Sequence, residues 1–265
     1  MKYISSSQNP ILKEVRALKQ KKYREESGMF FIEGIRFVEE VLKEDIPISK
    51  VLVSECLSDV NGGKEILEKV KERGCSVFTM PHKLFIELSD TKNPQGILAI
   101  LHARNYKIED MYDEKNFFII LDCIQDPGNM GTIIRTADAV GATGVVLSKG
   151  CVDIYNPKVL RSTMGSVFHI PICFSEDIFK TLDDMKSKGI KVCAAHLEGD
   201  CDYFDIDVTD NIAIIIGNEA NGISQEIKEY ADILVRIPMV GKAESLNASV
   251  AAGILMYEVL RKRVK

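Results

Sequence analysis

Three short segments in the second half of the chain combine glycines with polar and charged side chains. They are residues 129–135 (NMGTIIR), 217–222 (GNEANG) and 245–249 (SLNAS). Their carboxamides, carboxylate, hydroxyl and guanidinium can bind a polar ligand and stabilise developing charge. Any one segment also suits a helix cap or a turn, so the combination predicts a site. The candidate catalytic residues are Asn129, Arg135, Glu219, Ser245 and Asn247.

Apolar runs precede these segments and must position them. Residues 117–121, 212–216 and 233–237 are predicted to be buried strands, so the polar segments begin where strands end. Ligands bind at that edge of open α/β sheets. Further predicted strands at 144–147 and 191–195 alternate with helices, a pattern typical of a mostly parallel sheet covered on both faces.

The first hundred residues predict a separate, compact α/β sandwich. Strands at 29–32, 50–53, 76–79 and 96–101 alternate with helical stretches such as 35–43 and 64–73. Residues 103–116 are polar and aperiodic, which indicates a domain boundary. The predicted organisation is a first domain at 1–105, a linker at 106–116 and a second domain at 117–265.

Charge is unevenly distributed along this chain of 265 residues, which has a formal net charge of -5. The pI near 5.5 argues against a protein that grips nucleic acid with its whole surface. The first 24 residues nevertheless carry seven basic side chains and one acidic side chain. They could form a phosphate-binding face or only a solvated helix with Leu12, Val15 and Leu18 turned inward. The candidate phosphate contacts of this arm are Lys19, Lys21, Lys22 and Arg24.

The seven cysteines include no C-x-x-C pair and are predicted to be reduced thiols of a cytoplasmic protein. Cys193 and His196 have the spacing of metal ligands, but no second pair completes a site, so no metal is predicted. No apolar run approaches the length of a membrane span.

The three segments resemble the signature motifs of the SpoU (TrmH-like) family of RNA ribose 2′-O-methyltransferases, in the SPOUT superfamily. The similarity continues through residues 121–129 (LDCIQDPGN) and 237–239 (IPM). Residues 30–34 (FFIEG) and 93–97 (NPQGI) resemble the substrate-binding domain that many members carry. Ala220 and Ala248 depart from the glycine and valine of many members, but neither change removes a polar group.

The resemblance implies a fold that periodicity alone does not reach. It implies an N-terminal ribosomal-protein-like α/β sandwich and a C-terminal SPOUT α/β-knot domain, in which a trefoil knot holds the cofactor. Hydrophobic patterning by itself predicts only a doubly wound sheet. The implied cofactor is S-adenosyl-L-methionine, held at Gly217, Ile237, Met239 and Leu246. The implied assembly is a homodimer, with the small-residue helix after Ser245 close to the interface.

The resemblance also implies roles for the polar residues. In the family the arginine at the position of Arg135 is held to be catalytic and proposed as the base. Guanidinium stays protonated, so Arg135 more plausibly orients an RNA phosphate and stabilises the oxyanion. A structural ion pair with Glu219 is the alternative. Asn129, Glu219, Ser245 and Asn247 match positions that shape the ribose site, although Asn129 and Asn247 also suit caps. Lys158 and Arg161 could line an RNA groove or lie on a solvated helix.

The resemblance therefore implies S-adenosylmethionine-dependent methylation of a ribose 2′-hydroxyl in structured RNA, with 23S ribosomal RNA as the expected substrate. Transfer RNA is the alternative substrate, and a non-catalytic RNA-binding protein of the same fold is the alternative of another class. A nicotinamide- or nucleotide-binding enzyme is disfavoured because G-x-G-x-x-G and the P-loop are absent from the sequence.

Overall fold

The computed structural model describes residues 2–208 and 210–264, which form two compact units. The N-terminal unit runs to Arg104 and also takes in Tyr155–Arg161, while the C-terminal unit comprises Asn105–Ile154 and the chain from Ser162 onward. The sequence predicts Tyr155–Arg161 in the second domain instead. Tyr155 shows why this stretch groups with the first: its ring stacks on Phe30 with centroids 4.2 Å apart, and its hydroxyl donates to the Arg104 carbonyl at 2.8 Å.

The N-terminal unit is built on a five-stranded sheet. Its strands are β1 (Lys2–Tyr3), β2 (Met29–Glu33), β3 (Ile48–Ser54), β4 (Val77–Met80) and β5 (Ile97–His102). Their order in the sheet is β1-β4-β3-β5-β2. The first three run parallel, and β5 is antiparallel to both neighbours. The four strands predicted here are confirmed, and β1 was missed because two residues carry no detectable pattern.

Helices pack on this sheet through regularly spaced apolar residues. They are α1 (Pro10–Leu18), α2 (Lys21–Ser27), α3 (Ile35–Lys43), α4 (Gly63–Glu72) and α5 (His82–Leu88), with a 3-10 turn at Leu57–Asp59. Leu12, Val15 and Leu18 of α1 are fully buried, as the amphipathic pattern predicted. Asn9 caps α1 by accepting a hydrogen bond from the main-chain N–H of Ile11.

The C-terminal unit is built on a seven-stranded sheet that is parallel throughout. Its strands are β6 (Phe117–Leu121), β7 (Gly144–Leu147), β8 (Ile172–Phe174), β9 (Lys191–Ala195), β10 (Cys201–Asp202), β11 (Ile212–Ile216) and β12 (Ile233–Arg236). The predicted parallel sheet is confirmed. The sequence missed β8 and β10 because they are edge strands of two or three residues.

The strand order in the sheet is β10-β12-β9-β11-β6-β7-β8. The boundary between β6 and β11 is the switch point, where the chain stops adding strands on one side of β6 and begins adding them on the other. The chain moves from β6 to β7 and β8 on one side, and all later strands lie on the other. Both central strands are buried along their whole length, which explains their unbroken apolar runs. Ile216 pairs with Leu121, so the two strands end level. The loops that follow them therefore emerge side by side at the switch point, where α/β sheets bind ligands.

The helices of this half of the chain are α6 (Pro127–Ala139), α7 (Pro157–Thr163), α8 (Ile178–Ser187), α9 (Gln225–Tyr230) and α10 (Ala248–Arg263), with 3-10 turns at Ile108–Asp110 and Ser166–Phe168. Helices α6 and α10 pack against each other. Residues 106–116, predicted to be a linker, pack onto the C-terminal unit, because Ile108 and Met111 are buried in its core.

All seven cysteines are free thiols, three of them buried and four half-buried. Within residues 2–208 and 210–264, no helix is both long enough and apolar enough to cross a membrane.

Candidate functional site

The loop after β6 and the loop after β11 are joined by direct hydrogen bonds. The N–H of Asp122 donates to the Ile216 carbonyl at 2.9 Å, which carries the strand pairing one residue past β6. The side chain of Asn218 then donates through Nδ2 to the Cys123 carbonyl at 2.8 Å. Cys123 has a φ of +54°, a left-handed conformation that is uncommon outside glycine. These bonds hold together the two loops that lead into the first polar segment and carry the second.

Glu219 occupies the N-terminal end of α6. One carboxylate oxygen accepts from the N–H of Gln125 at 3.2 Å, and the other accepts from the N–H of Asp126 at 3.0 Å. Asn129 Nδ2 donates to that second oxygen, also at 3.0 Å. A negative charge is favourable here because the N–H groups and the helix dipole both point at it.

These contacts set the ionisation of Glu219. Partial desolvation on its own raises the pKa of this carboxyl group. The hydrogen bonds from Asn129 and from the main-chain N–H groups of residues 219, 126 and 125 act in the opposite direction and together outweigh it. The pKa of Glu219 therefore lies below its ordinary value, and the group is a hydrogen-bonded carboxylate at neutral pH.

The third segment joins the first two through Asn129. Asn247 donates through Nδ2 to the Asn129 Oδ1 at 2.9 Å. Asn247 also caps α10, because its Oδ1 accepts from the N–H of Ser249 at 2.9 Å. Asn129 itself is not a cap: Asp126 caps α6 by accepting from the N–H of Asn129. One residue from each segment thus enters a single hydrogen-bonded chain.

Arg135 and Ser245 differ from these three residues in having free hydrogen-bonding groups. Both are exposed, and neither forms a hydrogen bond or an ion pair with any residue in the described part of the chain. The ion pair between Arg135 and Glu219 that the sequence left open is not formed, because Glu219 is engaged with the start of α6. The guanidinium of Arg135 is available to a ligand.

A cavity of about 390 Å³ opens beside the second and third segments. Gly217, Ile237, Met239 and Leu246, the four residues predicted to hold the cofactor, all line it, as do Glu219 and Ser245. Ile237 and Leu246 are only half-buried, although their apolar character alone would predict core residues. A Cβ atom at Gly217 would lie 2.3 Å from the Gly222 main chain, so only glycine allows this turn to close.

Two residues at this end of the sheet were not predicted from the sequence. His196 lines the cavity, whereas the sequence suggested it only as a partner of Cys193, which is fully buried. Asn218 lies inside the second segment, yet nothing in its type or spacing indicates that its side chain reaches Cys123 in the loop after β6. In that segment Asn218 Oδ1 also accepts from the N–H groups of Ala220 and Asn221, at 3.0 and 3.1 Å.

Most of the basic side chains predicted to bind RNA are paired with neighbouring groups. Lys19 contacts Asp90 at 2.8 Å, and Lys21 and Lys22 form exposed ion pairs with Glu25 and Glu26. The prediction for Arg24 is corrected: its side chain is buried, and its guanidinium donates to the Leu18 carbonyl at 2.7 Å.

Lys158 and Arg161 are exposed and lie three residues apart on α7, while Val159 and Leu160 between them are buried. This pattern places the two cations on one helical face.

The family model described as the SpoU rRNA Methylase family matches residues 116–257, more than half of the chain. The chain belongs to the SpoU rRNA methylase family. A second model, the MRM3-like substrate binding domain, matches residues 9–99. The resemblance inferred from the three segments is confirmed, and with it the prediction of a methyltransferase. The nicotinamide- or nucleotide-binding alternative is thereby set aside.

Relatives of this SpoU protein match it from end to end. The 23S rRNA (guanosine(2553)-2'-O)-methyltransferase RlmP of Bacillus subtilis (strain 168) is 35% identical and covers 98% of this chain and 99% of its own. An AdoMet-bound rRNA methyltransferase from Sinorhizobium meliloti superposes with a TM-score of 0.88, at 35% identity and 98% coverage of both chains. The SpoU methyltransferase AviRb from Streptomyces viridochromogenes, in complex with AdoMet, gives 0.89 at 29% identity, with 97% and 99% covered.

Proposed function

We propose that this protein transfers the methyl group of S-adenosylmethionine to a ribose 2′-hydroxyl of 23S ribosomal RNA. The observation that carries the proposal is the convergence of the three SpoU segments, linked through Asn129, beside a cavity of about 390 Å³. The full-length match to a 23S rRNA 2′-O-methyltransferase supports the choice of RNA. Such a substrate puts the proposed activity in the cytoplasm.

The cavity fits the proposed cofactor in size and in chemistry. Its volume lies in the range of roughly 300–1,000 Å³ that small-molecule sites occupy. Main-chain groups at Gly217 can recognise polar edges of the ligand, and Ile237, Met239 and Leu246 offer apolar contact to an adenine ring. When bound, S-adenosylmethionine supplies a methyl group that is already activated by its sulfonium. The resemblance also implies a trefoil knot at this site, which stays a prediction.

The five candidate catalytic residues divide into two sets, according to whether their polar side-chain atoms are hydrogen-bonded within the protein. Asn129, Glu219 and Asn247 hold one another and the starts of α6 and α10. We assign these three to positioning, since their polar atoms are committed within the protein. Arg135 and Ser245 are exposed and uncommitted, and we assign these two to contact with the RNA ribose and phosphate.

Arg135 is better suited to stabilising charge than to removing a proton. A guanidinium carries a permanent charge and has no lone pair with which to accept the proton of the 2′-hydroxyl. It can orient a phosphate and stabilise the developing 2′-oxyanion, a role that needs a donor already in place. Glu219 is a poor candidate for the base, because three N–H groups surround its oxygens and its pKa is lowered.

Residues 1–105, which make up most of the N-terminal unit, are proposed to bind RNA rather than to take part in the chemistry. The contacts we propose are Lys19, Lys21, Lys22, Lys158 and Arg161. Arg161 carries the most weight, because it is exposed and has no ion pair within the described residues, whereas the ion pairs of Lys19, Lys21 and Lys22 reduce their net attraction for phosphate. Such contacts position a substrate without selecting its sequence.

We further propose that the protein is a homodimer through α10. This helix is apolar around much of its circumference, yet Val250 and Tyr257 on it are 50% and 52% exposed. The small residues Ala251 and Gly253 near its start permit close approach of a second helix. Light scattering at micromolar concentration should give twice the mass of one chain, and Tyr257→Asp should lower it towards one. A wild-type mass of 29.6 kDa would contradict this proposal.

Transfer RNA is the alternative substrate, and one comparison separates the candidates. Ribose methylation is mapped in RNA from cells that lack this protein and from cells that have it. Loss of a 2′-O-methyl group from 23S ribosomal RNA supports the proposal, whereas loss from a transfer RNA establishes the alternative. Binding of S-adenosylhomocysteine by calorimetry, against NAD and ATP as controls, tests the cofactor independently. A protein that binds cofactor and RNA but transfers no methyl group would be the non-catalytic alternative.

A further inference from the structure

The loop that leads from β6 into α6 contains a residue in an unfavourable backbone conformation. Cys123 has a φ of +54° and is not a glycine. Residues in this region of φ/ψ space persist only when their surroundings impose the conformation, and such residues concentrate at functional sites. Among residues 2–208 and 210–264, two further non-glycine residues, Asp45 and Met164, have a positive φ. Only Cys123 lies at the switch point of the sheet.

Side chains hold the Cys123 backbone from both sides. Its N–H donates to the Ser148 Oγ at 3.0 Å, and Ser148 donates in turn to the buried carboxylate of Asp122 at 2.9 Å. On the other side its carbonyl accepts from Asn218 Nδ2 at 2.8 Å. Ser148 follows β7 and Asn218 follows β11, so the loop is fixed from the strands on either side of β6.

The bend at Cys123 determines where the next main-chain groups point. Two and three residues later, the N–H groups of Gln125 and Asp126 converge on the carboxylate of Glu219. Asn218 is adjacent to Glu219 in the chain, and its Oδ1 fixes the turn that carries Glu219 by accepting from the N–H groups of Ala220 and Asn221. The carboxamide of Asn218 therefore positions both the carboxylate of Glu219 and the loop whose N–H groups bind it.

We propose that Asn218 is a positioning residue for methyl transfer. It locks the loop at residues 122–126 against the turn at 217–222, and so fixes the start of α6, the helix that carries Asn129 and Arg135. Ser148 performs the matching role on the other side of Cys123. This inference rests on the proposed function for its kinetic consequence, but the geometric part can be measured without turnover.

Two variants each remove one of the two hydrogen bonds that hold the main chain of Cys123. Asn218→Asp keeps an acceptor for the N–H groups of Ala220 and Asn221 and replaces the donor to Cys123 by an oxygen. Ser148→Ala removes the acceptor of the Cys123 N–H. The matched control is Asn116→Ala, because Asn116 is a buried asparagine of the same unit whose Nδ2 also donates to a main-chain carbonyl, that of Asp113 at 2.7 Å. Asn116 directly precedes β6 and so lies at the opposite end of that strand from Cys123.

The experiment measures amide hydrogen exchange at Gln125 and Asp126, the melting temperature, and kcat with saturating cofactor and RNA. We expect Asn218→Asp and Ser148→Ala to lose protection at these two amides and about 10²-fold in kcat, the effect of a small misplacement of catalytic groups. Asn116→Ala should lower the melting temperature by a few degrees, comparable to the other two, and keep both protection and kcat.

Unchanged protection in Asn218→Asp, or an equal loss of kcat in the Asn116→Ala control, overturns the inference. If the wild-type protein transfers no methyl group, the proposed function fails by that result alone. The exchange of the Gln125 and Asp126 amides then still decides whether Asn218 positions this loop.

Discussion

Asn247 donates a hydrogen bond through Nδ2 to the Oδ1 of Asn129 at 2.9 Å, although 118 positions separate the two residues in sequence. Asn129 in turn donates to Glu219 at 3.0 Å. Among the described residues, the carboxamide of Asn129 is the only group that links all three polar segments in this hydrogen-bonded chain. Because both of its polar atoms are used, its replacement has consequences for stability and for activity together.

Asn129→Asp replaces the donor to Glu219 by a carboxylate oxygen. At pH 8 we expect the free energy of unfolding to fall by about 1–3 kcal/mol, because repulsion between two carboxylates replaces a hydrogen bond. Proton uptake by the two carboxyl groups relieves the repulsion as the pH falls, so the deficit should shrink towards pH 5. Urea unfolding at the two pH values measures this. The control is Asn156→Asp. The side-chain oxygen of Asn156 accepts from the N–H of Lys158, and asparagine and aspartate at this position can both cap α7. A deficit equal at both pH values would contradict the assignment.

Glu219→Gln tests whether Glu219 positions the loop or removes the proton. The folded-state pKa is lowered from 4.5, so the Glu219 contacts stabilise the protein above the unfolded pKa and lose that contribution as the pH falls through the folded pKa. The stability difference between wild type and Glu219→Gln should therefore be fully present at neutral pH and decline in acid below about pH 4.5. Urea unfolding across pH 3.5–7 measures it.

The pH–rate profile of the same variant separates the two roles. A positioning residue lowers kcat at every pH and leaves the acidic limb where it is in the wild type. If Glu219→Gln abolished the acidic limb, Glu219 would be acting as the general base. The exposed Glu226, on the first turn of α9, provides the matched Glu→Gln control.

Arg135→Ala should lower kcat on the order of 10²–10³-fold, the typical cost of losing an oxyanion-stabilising donor. Arg135 is exposed, and its side chain has no hydrogen bond or ion pair within the described chain, so the melting temperature and the affinity for S-adenosylhomocysteine should stay at their wild-type values. Arg135→Lys keeps the charge but not the planar fork of donors, and should recover only part of the rate. Steady-state methyl transfer and calorimetry measure these effects. Wild-type turnover by the alanine variant would remove Arg135 from the mechanism.

Lys158→Ala combined with Arg161→Ala should weaken RNA binding and reduce the dependence of log K on log salt by roughly one slope unit for each phosphate that the variant no longer binds. Lys21→Ala with Lys22→Ala should have a smaller effect, because Glu25 and Glu26 already offset those charges, whereas Arg161 has no ion pair within the described residues. Lys64→Ala with Lys71→Ala on α4 is the control of equal charge. Titrations at several salt concentrations compare the three. Equal slopes for all three double variants would mean that α7 binds no phosphate.

The sequence predicted the parts of this structure that depend on buried, repetitive patterns. The strands Phe117–Leu121 and Ile212–Ile216 are central and buried throughout, so their composition alone identifies them. Edge strands such as Cys201–Asp202 are too short to leave a pattern. Arg24 shows a second limit: its charge is visible in the sequence, but its burial against the Leu18 carbonyl depends on how α1 and α2 fold together.

The site itself was predictable only in part. The residue types at 129, 219 and 247 indicated a site, but not that Asn129 would join the other two, since that requires strand order. Asn218 was missed because its contact with Cys123 spans 95 positions. Ile237 and Leu246 have the composition of core residues, and they line a cavity only because β12 ends at Arg236 and the following loop turns beside Gly217.

The central claim is methyl transfer to ribose in 23S ribosomal RNA, and the most direct test uses purified protein. The protein is incubated with unmodified 23S ribosomal RNA and S-adenosylmethionine labelled in its methyl group, and the RNA is then digested to nucleosides for mass spectrometry. The account predicts label in a single 2′-O-methylated nucleoside, absent without protein and strongly reduced with Arg135→Ala. Label on a base, or no label from a protein that binds S-adenosylhomocysteine and this RNA, would contradict it.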